Sequence, residues 1–328
     1  MKEFVINKND EGQRLDRFVF RILKNAPSSF AYKMLRKKNI VLNGSKASGD
    51  ERLHENDTVI FYLSDETFDR FSKNDVSYPD TAYLMPPVIY EDDDIIIVHK
   101  PSGMLSQKSA AEDISLNEIC LSYVKGAKPS ATGSGSSYTP GICNRLDRNT
   151  AGLITFAKTY RCAKHMADAF RNHTIGKYYR CITAGIIKDD LDLSGRLRKD
   201  PVTNTVMITD TGPEECNIKT KVHPLKNWKC ICDLSLLEIE LITGKTHQIR
   251  AHLAHIKHPV IGDEKYGDHS INRSFYKQFG ISCQMLVCTK MVFPDDFPLD
   301  TLAGMSIETD TGDDFRRVML CQPGTQED

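Results

Sequence analysis

Arg145-Leu146-Asp147-Arg148, an aspartate set between two arginines, is the stretch of this sequence best composed for chemistry. It follows a Gly/Ser/Thr/Pro-rich loop at residues 126–141 and runs into the apolar segment GLITFA. A loop held by a rigid strand is a favoured place for catalysis. A carboxylate beside guanidinium groups stays ionised and can act as nucleophile or base. The competing interpretation is a surface Arg–Asp ion pair with no chemical role. The same four letters occur at Arg14–Arg17. There Leu15 belongs to an apolar helical face and Asp16 can cap or salt-bridge at the surface, so that copy is structural or faces a partner.

Three other clusters invite chemical readings and do not sustain them. His247, His252, His255 and His258 crowd one segment, but only His252 and His255 share a helical face, and no acidic or thiolate ligand stands at zinc spacing. No metal is expected. Gly244-Lys245-Thr246 has the end of a phosphate loop, yet Ile239 occupies the position where that motif needs its first glycine, so no nucleotide cofactor is expected. The EDDD run at 91–94 suits a polar hairpin turn better than a cation site.

The elements that must position Asp147 can be read from periodicity. EGQRLDRFVFRIL places Leu15, Phe18, Val19 and Ile22 on one helical face. Ser28-Ser29 can cap a second helix, FAYKMLRKK, which carries Lys33, Arg36, Lys37 and Lys38. NIVLNGSKA turns at Asn43-Gly44 as a hairpin, and LHENDTVIFYL ends this piece in a strand. Residues 64–85 lack strong periodicity and read as a linker. Beyond them, YEDDDIIIVHKPSGML predicts strand, turn, strand, and residues 115–124 a helix. GLITFA and KYYRCITAG predict strands. TYRCAKHMADAFRN predicts a helix with Ala163, Met166, Ala167 and Phe170 on one face. Residues 195–209 read as a basic hairpin with Arg196, Arg198 and Lys199. CNIKTKVHPL and KCICDLSLLEIELI predict long strands, THQIRAHLAHI a helix with Ile249, Leu253 and Ile256 inward, and QMLVCTKMVFP a late strand. Strands without repeated βα units predict an α+β body.

Composition sets outer bounds. The 328 residues suggest two domains, and 40% hydrophobic residues can build a sizeable core. No apolar run approaches the ~18 residues of a membrane span. MKEFVINKNDEGQ has no apolar signal region, so no export is expected, and the ten cysteines are expected as unpaired core thiols of a reducing cytoplasm, with Cys230 and Cys232 on one side of a strand. Net charge is −1, but residues 1–63 hold 12 Lys+Arg against 8 Asp+Glu. A basic small segment on a mildly acidic body fits a local RNA contact. The cluster on the second helix reads either as a solvated face or as a phosphate-gripping one.

NRLDRNTAGLITFAK resembles the HRLDR-x-TSGL motif of the RluA-type RNA pseudouridine synthases. LITGKTHQIRAHLAHIKHPVIGDEKYG is similar to the later motif of that family, and YEDDDIIIVHKPSGML, KYYRCITAG and QMLVCTKMVFP fall in the same order. The resemblance covers residues 86–328. Residues 1–63 resemble the small RNA-binding domain of the ribosomal S-four type. The resemblance implies a mixed, mostly antiparallel central sheet with flanking helices, and a catalytic aspartate at Asp147 paired with Arg250. It implies that Tyr179 packs on the target uracil and is a candidate to take the proton from its fifth carbon. Lys177 matches the motif lysine, Arg148 the arginine that enters the RNA stack, and Leu286 an apolar residue of the pocket floor. Lys33, Arg36 and Lys37 are the expected RNA contacts of the first domain.

Three positions depart from the family pattern: Asn144 stands for the usual His, Ala151 for Ser, and Val287 for a frequent His. None removes a charged catalytic group, and Asn144 can still hydrogen-bond to neighbouring backbone. The expectation is a monomeric, cofactor-free isomerase of the RluC-like subgroup acting on RNA, with large-subunit ribosomal RNA favoured. The alternatives are a transfer-RNA enzyme or a non-catalytic RNA-binding protein on the same fold.

Overall fold

The computed structural model describes residues 1–8, 10–72, 81, 84–110, 112–127, 138–200, 205–209 and 217–321. The chain builds two separate sheets, each over its own apolar core. The first sheet has four antiparallel strands in the order β1-β4-β2-β3, from β1 (Lys2–Val5), β2 (Ile40–Leu42), β3 (Ser45–Lys46) and β4 (Thr58–Phe61). Helices α1 (Leu15–Ile22) and α2 (Ser28–Arg36) close over it. The Asn43-Gly44 turn is present, both residues having positive φ as a tight two-residue hairpin requires.

Several details of this unit differ from expectation. Asp16 is buried, because it accepts hydrogen bonds from Arg14 Nη2 (2.9 Å) and Tyr32 Oη (3.0 Å) that satisfy its charge away from water. The α2 N-terminus has Pro27 as its cap residue with no side-chain cap, so Ser28 and Ser29 lie inside the helix. Strand β1 was not legible in MKEFVIN because its residues are mostly exposed and it is defined by pairing with β4, not by an apolar pattern of its own. The span expected to be a linker from residue 64 begins instead with helix α3 (Asp65–Ser72). Ser64 Oγ accepts from Thr67 N at its start, and Phe68 packs on Phe4 and Phe61. Two phenylalanines three residues apart, Phe68 and Phe71, make a short apolar stripe that a longer periodicity window averages away.

The second sheet has eleven strands. They are β5 (Val88–Glu91), β6 (Ile95–Lys100), β7 (Gly141–Ile142), β8 (Ala151–Ala157), β9 (Gly176–Ala184), β10 (Leu191–Asp200), β11 (Thr205–Thr209), β12 (Asn217–Lys229), β13 (Asp233–Leu241), β14 (Leu286–Val292) and β15 (Ser306–Glu308). The main path runs β11-β10-β12-β13-β9-β14-β8-β6-β5, with β7 on β8 and β15 on β14. Helices α4 (Leu116–Ala127), α5 (Tyr160–Arg171), α6 (Gln248–His255), α7 (His269–Phe279) and α8 (Asp313–Met319) flank it. The protein is an α+β molecule with a mixed, mostly antiparallel sheet. Ile95 to Val98 are all fully buried, which a strand shows only when both faces are covered.

Strands β9, β14 and β8 are neighbours at the middle of this sheet, and β14 pairs with β8 in parallel. Gly152 makes that pairing possible. Its φ is +116°, and a Cβ there would stand 2.2 Å from the Cys288 carbonyl oxygen. On α5 the buried residues are Cys162, Met166 and Ala169, while Ala167 is exposed, so the apolar face is rotated from the one expected. On α6, Gln248, Arg250 and His252 are buried along with Ile249 and Leu253, so polar residues too are packed inside. Cys230 and Cys232 lie in the turn between β12 and β13, not in a strand, and Cys230 is disulfide-bonded to Cys321. The expectation of unpaired thiols fails for that pair because the turn tip meets the end of α8. The loop at 128–137 and the hairpin tip at 201–204 lie outside the described residues.

Replacing Phe68 with alanine is expected to cost about 3 kcal/mol and to open α3 to proteolysis. Chemical denaturation and limited digestion check this, and a digestion pattern identical to wild type would show that α3 is not anchored through that ring.

Candidate active site

Asp147 sits in the loop between β7 and β8, and that loop is fastened at nearly every residue. Ser106 Oγ donates to the Leu146 carbonyl (2.8 Å) and accepts from its N–H (3.1 Å). Lys100 is fully buried, and its Nζ donates to the carbonyls of Pro101, Met104 and Arg148 at 2.9, 2.9 and 3.0 Å. Burial pushes this ammonium down to about 8, against the attraction of Asp147. Ser102 Oγ donates to Asn149 O, Arg148 Nε to Gly103 O, and Thr150 N to Asp147 O. Asn144, the departure from the family histidine, accepts from Thr155 N and Oγ1 at 2.9 Å each, so the amide takes a β8 role as expected. The turn after β6 thus acts as a clamp on the backbone either side of Asp147.

The partner arrives from α6. Arg250 Nη1 donates to Asp147 Oδ2 at 2.8 Å. The same guanidinium donates through Nε and Nη2 to Asp263 at 2.7 and 2.8 Å, a bidentate pair. Its side chain is 6% exposed, and Asp263 is fully buried. Burial pushes the Asp263 carboxyl upward, but Arg250 and the N–H groups of Tyr266 and Lys265 outweigh it and hold the group below its ordinary value. For Arg250 burial works toward neutrality, and the two carboxylates more than reverse it. One cation therefore serves a structural acid on one edge and the cleft acid on the other. Gln248, two residues earlier, fixes the approach to α6. It donates to Lys219 O and Thr220 Oγ1, and accepts from Thr243 Oγ1 and Lys245 N.

The floor and wall come from the sheet. Lys177 and Tyr179 are two apart on β9 and so face one side, and Leu286 begins the neighbouring β14. Burial, reinforced by the adjacent Cys288 and by Asp147, pushes the Tyr179 phenol well above its ordinary value, so it holds its proton. Lys177 is pushed down by burial. Asp147, Arg148, Lys177, Tyr179, Arg250 and Leu286 all line one cleft of about 640 Å³. Among the described residues lining it, Asp147 is the one carboxylate, while Lys108, Arg145, Arg148, Lys177, Lys199, Lys245 and Arg250 are cations. Lys33, Arg36 and Lys37 do not line this cleft; they are exposed on α2 of the first unit and at its C-cap.

Sequence reasoning missed Asp263, Lys100, His247 and Tyr266 as parts of the site. A signal existed for the first: a guanidinium destined for burial needs more acceptor capacity than one carboxylate facing a cleft provides. For Lys100, nothing in HKPSG marks the lysine as buried.

Asp263→Asn is expected to destabilise the fold by about 3–5 kcal/mol, because it leaves part of a buried cation unpaired. The Asp263 carboxyl is held below 3.8, so its stabilisation is complete above that value and is lost as pH falls below it. Unfolding curves should therefore show the wild-type advantage shrinking as acid titrates the carboxyl, and an advantage that stays the same wherever the folded protein persists under acid would rule the ion pair out as its source.

Over residues 94–255 the chain matches the RNA pseudouridylate synthase family. It is 30% identical to an uncharacterized RNA pseudouridine synthase of Mycoplasma pneumoniae, across 80% of each chain. It is 28% identical to the ribosomal large subunit pseudouridine synthase C of Vibrio cholerae, across 88% of this chain and 87% of that one. Among solved structures, human RNA Pseudouridylate Synthase Domain Containing 4 superposes with a TM-score of 0.54 at 18% identity, covering 73% of this chain and 95% of its own, which speaks to the fold. With that breadth of match added to the cleft just described, the chain belongs to the RNA pseudouridine synthases of the RluA/RluC type.

Proposed function

We propose that this enzyme isomerises uridine in large-subunit ribosomal RNA, with Asp147 as the acid at the reacting sugar–base junction. The pairing of Asp147 with Arg250 at 2.8 Å inside a basic cleft carries the reading. The ribosomal preference is supported by relatives such as the Vibrio cholerae protein, named for the ribosomal large subunit. The reaction breaks the bond from ribose C1′ to uracil N1, turns the base, and joins C1′ to C5, while the C5 hydrogen leaves as a proton and the freed N1 takes one up. Atoms and charge balance without an oxidant or a transferred group.

Each wall of the cleft has a part in this sequence. The uridine must leave its stack, at a cost of a few kcal/mol. Arg148, exposed at the cleft and tethered through Nε, offers a planar cation that stacks on bases and binds phosphate. Tyr179 and Leu286 present flat and apolar surface to the extruded base, and Lys177 presents a cation beside them. Arg250 Nη1 gives the Asp147 carboxyl a fixed donor and countercharge as RNA displaces water from around it. The protonated Tyr179 suits contact with the base while it turns, and its removal of the C5 proton would need a neighbour to receive the phenolic hydrogen.

The first unit is assigned to RNA binding through Lys33, Arg36 and Lys37, as in the S-four-type domain that it resembles. These side chains are exposed and make no ion pair among the described residues.

Tritium release from RNA labelled at C5 of uracil tests the chemistry. Wild type should release it and Asp147→Asn should not, by a factor of about 10³ or more; equal release would remove Asp147 from its role. Pseudouridine mapping by carbodiimide chemistry with and without the gene tests the target, and loss of a mark only in transfer RNA would overturn the ribosomal assignment. Replacing Lys33, Arg36 and Lys37 with glutamine should weaken RNA binding and flatten its salt dependence by about 0.7 log units per decade for each lost phosphate contact, whereas an unchanged slope would place the RNA elsewhere.

A further inference from the structure

His247 stands at the entrance to α6 with φ +54°, a left-handed conformation uncommon for a residue other than glycine. That backbone turns its ring into the cleft, where Nε2 lies 3.8 Å from Asp147 Oδ2. Nδ1 points the other way, 2.9 Å from the hydroxyl of Tyr266. The Tyr266 hydroxyl also accepts the backbone N–H of Val206 on β11, at 2.7 Å. Two further contacts hold this tyrosine in place: its ring faces the Arg250 guanidinium at 5.1 Å and meets the His247 imidazole edge-on at 5.6 Å.

The hydrogen-bond network assigns the protons. The Val206 N–H can only donate. The Tyr266 hydroxyl thus accepts from it, and its own hydrogen has one described acceptor, His247 Nδ1. A neutral imidazole that accepts at Nδ1 carries its hydrogen on Nε2. Burial favours that neutral form. The Nε2 hydrogen then points toward the Asp147 oxygen that Arg250 already holds. At 3.8 Å this is short of a hydrogen bond, but a closing of under 1 Å would make it one, and catalytic contacts commonly tighten when substrate binds. The far end of the chain of contacts is also placed to respond to RNA. Val206 is paired across the hairpin with Lys199, a cation of the cleft wall on β10.

We propose that Tyr266 and His247 are positioning residues for Asp147. Strand β11 holds the Tyr266 hydroxyl, Tyr266 fixes the tautomer of His247, and His247 presents an N–H to the carboxylate as the loaded cleft closes. This deepens the reading of Asp147 as the reacting acid and rests on it. In this arrangement both act through the Asp147 carboxylate. Their effect passes through the orientation of one oxygen, so it belongs to the rate of the bound complex and not to RNA affinity.

A double-mutant cycle on the full chain tests this, with single-turnover tritium release at saturating RNA, the RNA concentration for half-saturation, and the melting temperature measured for each variant. Tyr266→Phe keeps the ring and loses the hydroxyl. It should slow the single-turnover step about tenfold, the equivalent of about 1.4 kcal/mol of coupling, while half-saturation and melting stay near wild type. His247→Gln retains a side-chain N–H at the Nε2 position and has no tautomer to fix. It should recover most of the rate lost in His247→Ala, and adding Tyr266→Phe to it should cost nothing further. An equal penalty for Tyr266→Phe in both backgrounds would overturn the relay, as would a wild-type rate in Tyr266→Phe or in His247→Ala, or a defect confined to half-saturation. Asp147→Asn run alongside separates the two levels: if it keeps wild-type activity, the assignment of the acid has failed and not merely the relay.

Discussion

A buried guanidinium shared by two carboxylates organises this enzyme. Arg250 cannot be taken from water without compensation, and Asp263 supplies it with two short bonds and no exposure of its own. That leaves Nη1 directed at the cleft, where it meets Asp147. The structural pair thus comes first in energetic terms, and the catalytic contact uses the capacity left over. A lone Arg–Asp pair at a cleft edge would be free to swing with solvent. Fixed on its far side by Asp263 and faced by the Tyr266 ring, the guanidinium is preorganised for a charge that must persist while water is expelled.

The sheet supplies the second constraint. Asp147, Tyr179 and Leu286 lie far apart in sequence, and they meet because β8, β9 and β14 are adjacent at the sheet centre. The parallel contact of β14 with β8 depends on Gly152, five residues from the acid. Lys100 then fastens the loop from the opposite side by gathering three carbonyls, one of them on Arg148. The acid is held from both flanks by side chains that bond to the main chain of its loop, so its position is set through the backbone. Asn144, standing where the family pattern has histidine, adds to this support: its amide oxygen accepts from Thr155 N and Oγ1 of β8.

How much of this was legible in the sequence depended on whether the information was local. The strands GLITFA and KYYRCITAG and the Asn43-Gly44 turn carry their own periodicity or turn chemistry, and they appear where expected. Asp147, Tyr179 and Arg250 could be named because their motifs are contiguous, and the structure gathers them in one cleft. What stayed hidden is relational. The burial of Asp16, the anchoring of α3 through Phe68, and the disulfide between Cys230 and Cys321 each depend on a partner that spacing does not reveal. Asp263 lay inside a recognised motif and still went unassigned, since its partner becomes apparent only when α6 folds back over the sheet.

The charge of the cleft has a consequence for turnover. Uridine and pseudouridine are isomers of equal charge, so a wall of cations facing a single acid grips the phosphates of the finished RNA as firmly as those of the starting one. Coulombic attraction can hasten capture, but it gives no push toward departure. Letting go must come from geometry instead: the re-seated base, now joined through carbon and presenting an additional ring N–H, has to fit its own helix better than it fits this enzyme.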